Sequence, residues 1–469
     1  MGTTKRSSPF SRGGGHDLRA IAMSNAFHPE QLLSTLQRLP TVGRYWLAYS
    51  GGLDSSVLLH ALSQLGEQLP APLSVIHVDH GLSANSAVWS AQCRRHCDAL
   101  GVVLTERKVE VDSRKRGVEA AAREARYAAF AEVIGEGEML LTAHHQDDQA
   151  ETLLLQLLRG GGVRGLAAMP EYRPFAGGWL GRPLLGVSRE TLQVYADALG
   201  LEWIEDPSNF DTTLERNFLR HELLPMLQQR RSGVKSILAR SAGHFAESSE
   251  LLDELAVQDL AAVDMEGEAS LSITLLQGLS AARQRNLLRY WLRQLGLTTP
   301  DSRNLQRIFD EVLPAAEDAK PLVSWSGAEL RRYRERIYAM SPLPPVPGGR
   351  SLLPWSGEEV MTLPDDLGEL CMTRVTGGGV REELLLSGKV TVGWRRGGES
   401  MLLPGRGGHH ALKKLYQEAA VPPWERGRRP LLLIDGQLAQ VAGLWSDSRF
   451  ACGENEQGIQ FEWSPAIEI

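Results

Sequence analysis

Short apolar runs alternate with longer amphipathic stretches along the first third of the chain. Glycine or polar residues bound each run, and apolar positions recur at helical spacing between the runs. Strands that alternate with helices in this way predict βαβ crossovers and an α/β fold with a doubly wound parallel sheet. The predicted strands are 44–49, 73–78, 102–111 and 139–143, and the predicted helices are 54–65, 86–100, 118–134 and 147–158.

The pattern changes twice in the remainder of the chain. Helical periodicity over 248–260 and 281–295 predicts a mainly helical region, and proline and glycine then concentrate in a linker. Short strand-like runs and one helix near 411–420 follow the linker. The predicted organisation is a disordered tail (1–25), the α/β domain (26–231), a mainly helical middle domain (232–340), the linker (341–357) and a small α+β domain (358–469).

Composition narrows the function classes. The chain has 469 residues, of which 42% are hydrophobic and 23% charged, which is ordinary globular usage. Four cysteines are too few to form a disulfide scaffold in a chain of this length. No apolar run reaches the roughly 18 residues of a membrane span, and no signal sequence precedes the fold, so we expect a cytoplasmic protein without a membrane partner.

The net charge of −7 hides an uneven distribution. Residues 241–270 contain eight acidic side chains and no lysine or arginine, whereas residues 371–430 contain eleven basic and five acidic side chains. A basic region near the C-terminus of an acidic chain is typical of a surface that meets an anionic macromolecule.

A glycine-rich segment links the first predicted strand to its helix. It comprises Ser50, Gly51, Gly52, Leu53, Asp54, Ser55 and Ser56. Two glycines let the backbone approach a bulky anion, and the N–H groups at the helix start favour negative charge. Asp54 would repel a phosphate unless it holds Mg²⁺ beside it. The simpler alternative is a capped turn, since serine and aspartate are good N-cap residues.

A second polar cluster, His144 to Thr152, follows the fourth strand. Ligands of an open parallel sheet bind at the carboxyl ends of its strands, so this cluster should face the glycine-rich segment. If the helix includes them, His144, Asp148 and Glu151 share one face and suit Mg²⁺ or a substrate ammonium. The alternative is a helix start whose acids complement the dipole, and zinc is the weaker metal because no further Cys/His pattern lies nearby.

With these two motifs, the chain resembles the tRNA(Ile)-lysidine synthetases, a family of the PP-loop ATP pyrophosphatase superfamily. The resemblance runs from about residue 40 to the C-terminus, with one departure at Gly161, where members often carry serine. Further matching segments are HVDHGL (77–82), LRGGGVRGL (158–166), RPLL (182–185), WIEDPSN (203–209), RNFLR (216–220), KKLYQE (413–418) and VPPWER (421–426).

This resemblance implies a reaction and its substrates. ATP would adenylate C2 of the wobble cytidine in a minor isoleucine tRNA with the anticodon CAU, and L-lysine would then displace AMP. The products would be lysidine, AMP and pyrophosphate, with codon reading changed from AUG to AUA and charging from methionine to isoleucine. ATP and Mg²⁺ are the implied cofactors, and a homodimer is the implied assembly.

The resemblance also assigns roles to residues of the α/β domain, which becomes a PP-loop ATP-binding catalytic domain. Residues 50–55 and His77 would bind ATP, and Asp54 and Asp148 would hold Mg²⁺. Glu151 would bind the lysine ammonium. His144 would orient a phosphate or transfer a proton.

The tRNA contacts are expected from two regions. Arg216 and Arg220, four residues apart on a helix, would hold an RNA phosphate or the adenylated intermediate; the alternative is an exposed basic face paired with Glu215 and Glu222. Near the C-terminus, aromatic residues alternate with basic ones, a pattern suited to stacking and phosphate contact on RNA, although most charge runs are solvated surface. The predicted tRNA-binding residues there are Lys413, Lys414, Trp424 and Arg426, beside the aromatic residues Trp394 and Tyr416.

Three other functions remain open at this stage. A PP-loop tRNA thiolase would use a persulfide or an iron–sulfur cluster, and the chain lacks any C-x-x-C; Cys93 and Cys97 indicate a half-buried helix face instead. A small-molecule amidotransferase would need a glutaminase domain with its own cysteine nucleophile. A non-catalytic nucleotide-binding protein would not require the acidic set of Asp54, Asp148 and Glu151.

Overall fold

The computed structural model describes residues 27–81, 83, 85–111, 118–263, 270–316, 319–347 and 352–466. The predicted tail over 1–25 lies outside this part of the chain. The chain divides into two compact units, Met1–Leu251 and Leu252–Ile469, here called unit 1 and unit 2. The boundaries predicted for the domains and the linker stay predictions.

Unit 1 is built on a six-stranded sheet with the order β3-β2-β1-β4-β6-β5. The first four strands in sequence and β6 run parallel, and only β5 pairs antiparallel, with β6. Its strands are β1 (Arg44–Ala48), β2 (Leu73–Asp79), β3 (Val103–Lys108), β4 (Glu138–Leu141), β5 (Tyr172–Phe175) and β6 (Gly178–Gly181).

Helices join these strands and carry the chain beyond them. The segment 215–230 is one helical run whose middle, Leu219–Leu223, is a wide π-helical turn. The helices are α1 (Glu30–Leu36), α2 (Leu53–Leu65), α3 (Ser86–Ala99), α4 (Val118–Ala131), α5 (Gln146–Leu158), α6 (Val163–Leu166), α7 (Arg189–Leu199), α8 (Glu215–Phe218), α9 (Leu224–Arg230) and α10 (Val234–Val263).

The central strand β1 shows why the sheet has helices on both faces. Tyr45 and Leu47 point into one hydrophobic cluster, and Trp46 and Ala48 pack against another. A strand covered on both faces reads as a continuous apolar run, as the sequence does here. The predicted α/β fold with its parallel sheet is therefore confirmed, whereas the β5–β6 hairpin was not predicted.

The described residues of unit 2 form four hydrogen-bonded sheets, and the first along the chain has the antiparallel order β7-β10-β9-β8. These strands lie in the region predicted to be mainly helical, which is thus a mixture of helices and a sheet. The strands are β7 (Ser270–Ser272), β8 (Leu322–Trp325), β9 (Ala328–Tyr333) and β10 (Arg336–Met340), and the helices are α11 (Ile273–Gln277), α12 (Ala281–Gln294) and α13 (Ser302–Arg307), which continues into the π-helical turn Ile308–Val312.

The C-terminal part of unit 2 is the small α+β region predicted from the sequence. Two larger sheets and one hairpin surround two hydrophobic clusters. Its strands are β11 (Leu353–Pro354), β12 (Val360–Thr362), β13 (Glu369–Thr376), β14 (Val380–Arg381), β15 (Val390–Gly393), β16 (Ser400–Leu402), β17 (His409–Ala411), β18 (Leu431–Ile434), β19 (Gln437–Val441), β20 (Trp445–Ser446) and β21 (Gln457–Ser464), and its helices are α14 (Glu382–Ser387), α15 (Leu412–Glu418) and α16 (Pro423–Arg426).

No helix in the described ranges combines the length and the apolar character that crossing a membrane requires.

Candidate active site

The glycine-rich segment forms the turn between β1 and α2, as predicted. Gly51 adopts φ +81°, and a Cβ there would lie 2.9 Å from the Cys93 sulfur and would clash with Ile204. The hydroxyl groups of Ser50 and Ser55 lie 3.1 Å apart, and Ser55 donates to the carbonyl of Gly52 at 3.0 Å. The turn is therefore held by its own serines, with its amides at the start of a 13-residue helix.

This turn forms one wall of a cavity of about 360 Å³ in unit 1. Residues at the carboxyl ends of β1, β2 and β4 line it, where ligands of parallel sheets bind. His77 lies in this wall, but both its ring nitrogens are engaged, with the Tyr49 carbonyl at 2.8 Å and the Ser90 hydroxyl at 3.1 Å. His77 therefore lines the cavity with both ring nitrogens already hydrogen-bonded within the protein.

One face of α4 supplies the cavity with residues that the sequence analysis did not single out. Arg123, Arg126, Tyr127 and Phe130 line it at i, i+3, i+4 and i+7. Neither arginine forms an ion pair with a carboxylate of the described chain, and burial lowers the pKa of Arg126. The helical spacing of these residues was visible in the sequence, but amphipathic helices are too common to mark a site.

The second cluster does not meet the condition on which its shared face depended, a helix that includes His144. Helix α5 starts at Gln146, so His144 lies before it and does not share a face with Asp148 and Glu151. His145 is the N-cap: its side chain accepts a hydrogen bond from the Asp148 amide at 3.3 Å, and Asp148 accepts one from the His145 amide at 3.0 Å. This reciprocal capping fixes the start of the helix.

His145, which the sequence analysis passed over, lies between the two predicted metal ligands. Its Nε2 is 3.5 Å from Asp54 Oδ2 and 3.5 Å from Asp148 Oδ2. Burial lowers the pKa of His145, but the neighbouring Asp148 and Asp54 outweigh burial and raise it above 6.5. The N-cap position ahead of an acid three residues later was the available signal.

His144 lines the cavity instead. Its Nδ1 lies 2.9 Å from the Thr142 hydroxyl. Burial lowers the pKa of His144 from 6.5 to about 4, and the positive charges of Arg182 and Arg216 contribute in the same direction. The imidazole is therefore neutral near pH 7 and offers hydrogen bonds to a ligand without a positive charge.

Asp148 and Glu151 do lie on one face of α5, and two guanidinium groups are bound to them. Arg216 donates from Nε to Glu151 at 2.8 Å, and Arg220 donates from Nε to Glu151 at 2.7 Å. The Nη2 atoms of both arginines lie 3.1 Å from Asp148 Oδ1. Glu151 is only 1% exposed, so this is a buried network of ion pairs.

The charges of the network shift each other's titration. Burial alone would raise the pKa of Asp148, but His145 and Arg216 lower it to about 2. Burial would lower the pKa of Arg220, but its bond to Glu151 raises it. The expected alternative, a basic face paired with Glu215 and Glu222, is wrong because Glu215 pairs with Arg159 at 2.8 Å and the two arginines face inward.

Asp54 retains one free acceptor. Its Oδ1 is buried without a hydrogen-bond donor in the described residues, and the nearest cation, Arg189 Nε, is 3.9 Å away. A carboxylate oxygen of this kind is what Mg²⁺ prefers. Both oxygens of Asp148, by contrast, already accept hydrogen bonds.

The C-terminal candidates separate into exposed and buried residues. Lys413 and Lys414 are exposed on α15, whereas Arg426 is half-buried and donates to the Val421 carbonyl at 2.8 Å. Trp424 is only 6% exposed, and Trp394 and Tyr416 are buried as well. Stacking of RNA bases on these three rings is therefore excluded, because their faces belong to the protein interior.

Three family models match successive parts of the chain. The PP-loop domain covers residues 26–227, the TilS substrate binding domain covers 271–338, and the TilS substrate C-terminal domain covers 390–463.

Curated relatives match nearly the whole chain. A tRNA(Ile)-lysidine synthase of Coxiella burnetii is 40% identical, over 94% of this chain and 97% of the relative. The enzyme of the same name from Methylococcus capsulatus is 43% identical over 90% and 96%, and that of Pseudomonas aeruginosa is 43% identical over 93% and 96%.

Solved structures show weaker likeness. A U34-tRNA thiolase, NcsA of Methanococcus maripaludis with its [4Fe-4S] cluster, aligns with a TM-score of 0.40 and 17% identity over 49% of this chain and 81% of its own. A TilS C-terminal domain aligns with a TM-score of 0.21 and 24% identity over 24% and 96%.

Proposed function

The chain belongs to the family of tRNA(Ile)-lysidine synthases, and on that premise we propose that it joins L-lysine to the wobble cytidine of a minor isoleucine tRNA at the expense of ATP. As a member of this family it is a tRNA-modifying ligase with a PP-loop ATP-binding domain. The proposed substrate has the anticodon CAU. The product would read AUA instead of AUG and accept isoleucine instead of methionine.

The first proposed step is adenylation. The cytidine O2 forms a bond with the α-phosphorus of ATP, the bond from that phosphorus to the bridging oxygen breaks, and pyrophosphate leaves. Ser50 to Ser55 suit the departing group, because the N–H groups at the start of α2 and the serine hydroxyls converge on one turn. Neutral His144 would orient a phosphate by hydrogen bonding, which is the more favoured of its two expected roles.

The second proposed step uses the acids of α5. The lysine ε-amine attacks C2, the C2–O bond breaks, AMP leaves, and the amine loses a proton to solvent or to a neighbouring base. Glu151 already holds two cationic groups, which supports its proposed role as the receptor for a lysine ammonium. Arg216 and Arg220 would then move to an RNA phosphate or to the adenylated intermediate.

Mg²⁺ belongs to this proposal through Asp54, whose free Oδ1 fits a hard cation. Asp148 would join it only after an arginine leaves one of its oxygens. When bound, the ion would offset phosphate charge and stabilise the leaving pyrophosphate. We also propose a cytoplasmic location, a homodimer, and tRNA contacts by Lys413, Lys414 and Arg426.

One observation carries this function. The phosphate-binding turn and the acids of α5 meet through His145, at 3.5 Å from Asp54 and from Asp148, beside a cavity of about 360 Å³. A nucleotide site and a cation site in direct contact are what a ligase needs when it activates one substrate with ATP and attacks it with an amine.

The test measures ATP–pyrophosphate exchange and transfer of labelled lysine to total bacterial tRNA. We expect Asp54→Ala to abolish both, and Glu151→Gln to reduce lysine transfer more than exchange. Glu215→Gln is the matched control, because Glu215 is an exposed acid of the same region that pairs with Arg159. ATP cleavage to AMP without lysine transfer in the unsubstituted protein would overturn the proposal.

The thiolase alternative is weaker. Cys93 and Cys97 are fully buried, and burial raises the pKa of each thiol to about 12. A persulfide carrier or cluster ligand needs an accessible thiolate instead.

A further inference from the structure

Two segments of unit 2 have separate hydrophobic cores. The core around β7–β10 and α12 contains residues 263–339, and the two C-terminal cores draw on residues 363–461. No residue belongs to both sets. Two such modules are expected to move against each other unless a well-packed contact holds them. The contact between them therefore decides how their surfaces are spaced.

Trp424 contributes an aromatic contact to this boundary. It lies on α16 in the C-terminal module, yet its ring packs edge-on against Tyr338 at 5.3 Å and Tyr333 at 6.3 Å between ring centroids. The guanidinium of Arg331 lies 5.7 Å from the ring centre. These three residues belong to β9 and β10, so the other module helps to bury the tryptophan.

Hydrogen bonds also connect the two modules near this ring. Arg426 donates to the Tyr333 hydroxyl at 3.2 Å, and Arg334 donates to the Gln417 carbonyl at 3.0 Å. Arg428, which is buried, donates from Nε to the carbonyl of Pro344 in the predicted linker at 2.8 Å. The two modules are thus joined by an aromatic centre and a polar margin.

Both modules carry basic side chains. Lys413 and Lys414 stand on α15, one turn from Gln417. In the other module, α12 carries four arginines and no acid. Arg283 and Arg293 pair with acids of α10, whereas the half-buried Arg285 and Arg289 have no carboxylate partner among the residues described. Two phosphate-binding surfaces reinforce each other only when their spacing fits one ligand.

We propose that Trp424 is a positioning residue that fixes the separation of these two cationic surfaces so that both engage one folded tRNA. This inference rests on the proposed function, because it takes tRNA as the substrate. It replaces the direct base stacking expected of Trp424. The tryptophan acts through the mutual orientation of the modules, and it touches neither ATP nor lysine.

The test compares full-length tRNA with an anticodon stem-loop too short to reach both surfaces. We expect Trp424→Ala to raise KM for full-length tRNA about tenfold, in line with the loss of a linked second contact. The values of kcat, and of KM for ATP and lysine, should be unchanged, and so should KM for the stem-loop. Trp424→Phe should restore the KM, because the indole Nε1 has no hydrogen-bond partner in the described residues and only the ring is needed.

A second substitution, on the other side of the contact, shows whether the effect of Trp424→Ala is only a folding defect. Tyr338→Ala should raise the same KM, and the double variant should be no worse than the stronger single one. Equal loss with both RNAs, a fall in kcat, or additive effects of the two substitutions would overturn the inference. If the protein transfers no lysine at all, filter binding of the two RNAs gives the same comparison as a ratio of Kd values. A failure of the proposed function is therefore distinguished from a failure of the positioning role of Trp424.

Discussion

Arginines lie in the acid cluster of unit 1, which is Asp148 and Glu151, and in the aromatic joint of unit 2, which is Trp424 with Tyr333 and Tyr338. The groups that contact the arginines differ between the two regions. Arg216 and Arg220 are bound to carboxylates, and Glu151 beneath them is almost inaccessible to solvent. Arg331 and Arg426 lie over aromatic rings, and Arg331 also donates to the buried Glu329 at 2.8 Å. The first arrangement depends on charge compensation, whereas the second adds the packing of Trp424 against two tyrosine rings, so the two regions should respond to different perturbations.

Removing one charge from the acid cluster should give the largest effect. Arg220→Ala leaves Glu151 and Asp148 with fewer partners in a buried place, and we expect unit 1 to lose about 3 kcal/mol of stability. Hydrogen exchange of the α5 amides measures this for the one unit. Arg159→Ala is the control, because its exposed pair with Glu215 should contribute less than about 1 kcal/mol. Equal losses would remove the distinction between buried and surface pairs.

Acid should act next, through His144. The pKa of His144 is about 4 in the folded chain, whereas its ordinary value of 6.5 applies in the unfolded chain. As the pH falls, the unfolded chain therefore binds the proton before the folded chain does. The associated stability is present above about pH 6.5 and is lost as the pH falls towards 4, amounting to about 2 kcal/mol by pH 5.

Chemical denaturation at pH 7.5 and pH 5 checks this, with His144→Gln expected to lose less on acidification than the unsubstituted chain. An NMR titration of the ring gives the pKa directly. A midpoint near 6.5 would contradict the burial of His144.

The exposed lysines should give the smallest effect on stability. Lys413→Gln with Lys414→Gln should change the free energy of unfolding by less than about 0.5 kcal/mol, since both lysines are solvated. The slope of log Kd for tRNA against log salt should fall by up to about 2. Lys320→Gln, another exposed lysine of unit 2, is the control. An unchanged slope would remove these lysines from the tRNA surface.

Sequence reasoning succeeded where neighbours in the chain are neighbours in space. The turn at Ser50 to Ser55 joins a strand to a helix, and both elements follow from local periodicity. It failed for the face expected to hold His144 with Asp148 and Glu151, because His144 lies before the helix and the capping residue His145 faces the aspartates instead.

The remaining errors came from distant contacts. Arg216 was correctly placed on one helix face with Arg220, but its partner Glu151 lies 65 residues earlier in the chain. Trp424 belongs to a basic, aromatic-rich segment that looks exposed, and only the fold reveals that β9 and β10 cover it. Local pattern does not determine which side of a polar helix meets another element.

The wide turn at Leu219–Leu223 limits which insertions and deletions the helix that holds Arg216 and Arg220 can tolerate. A π-helical turn advances by about 80° per residue instead of about 100°, so Arg216 and Arg220 are closer to eclipsed than in a regular helix. Such a turn amounts to a one-residue insertion. A deletion within it would restore regular helix geometry but splay the two guanidiniums, so insertions and deletions should be tolerated beyond this helix more readily than inside it.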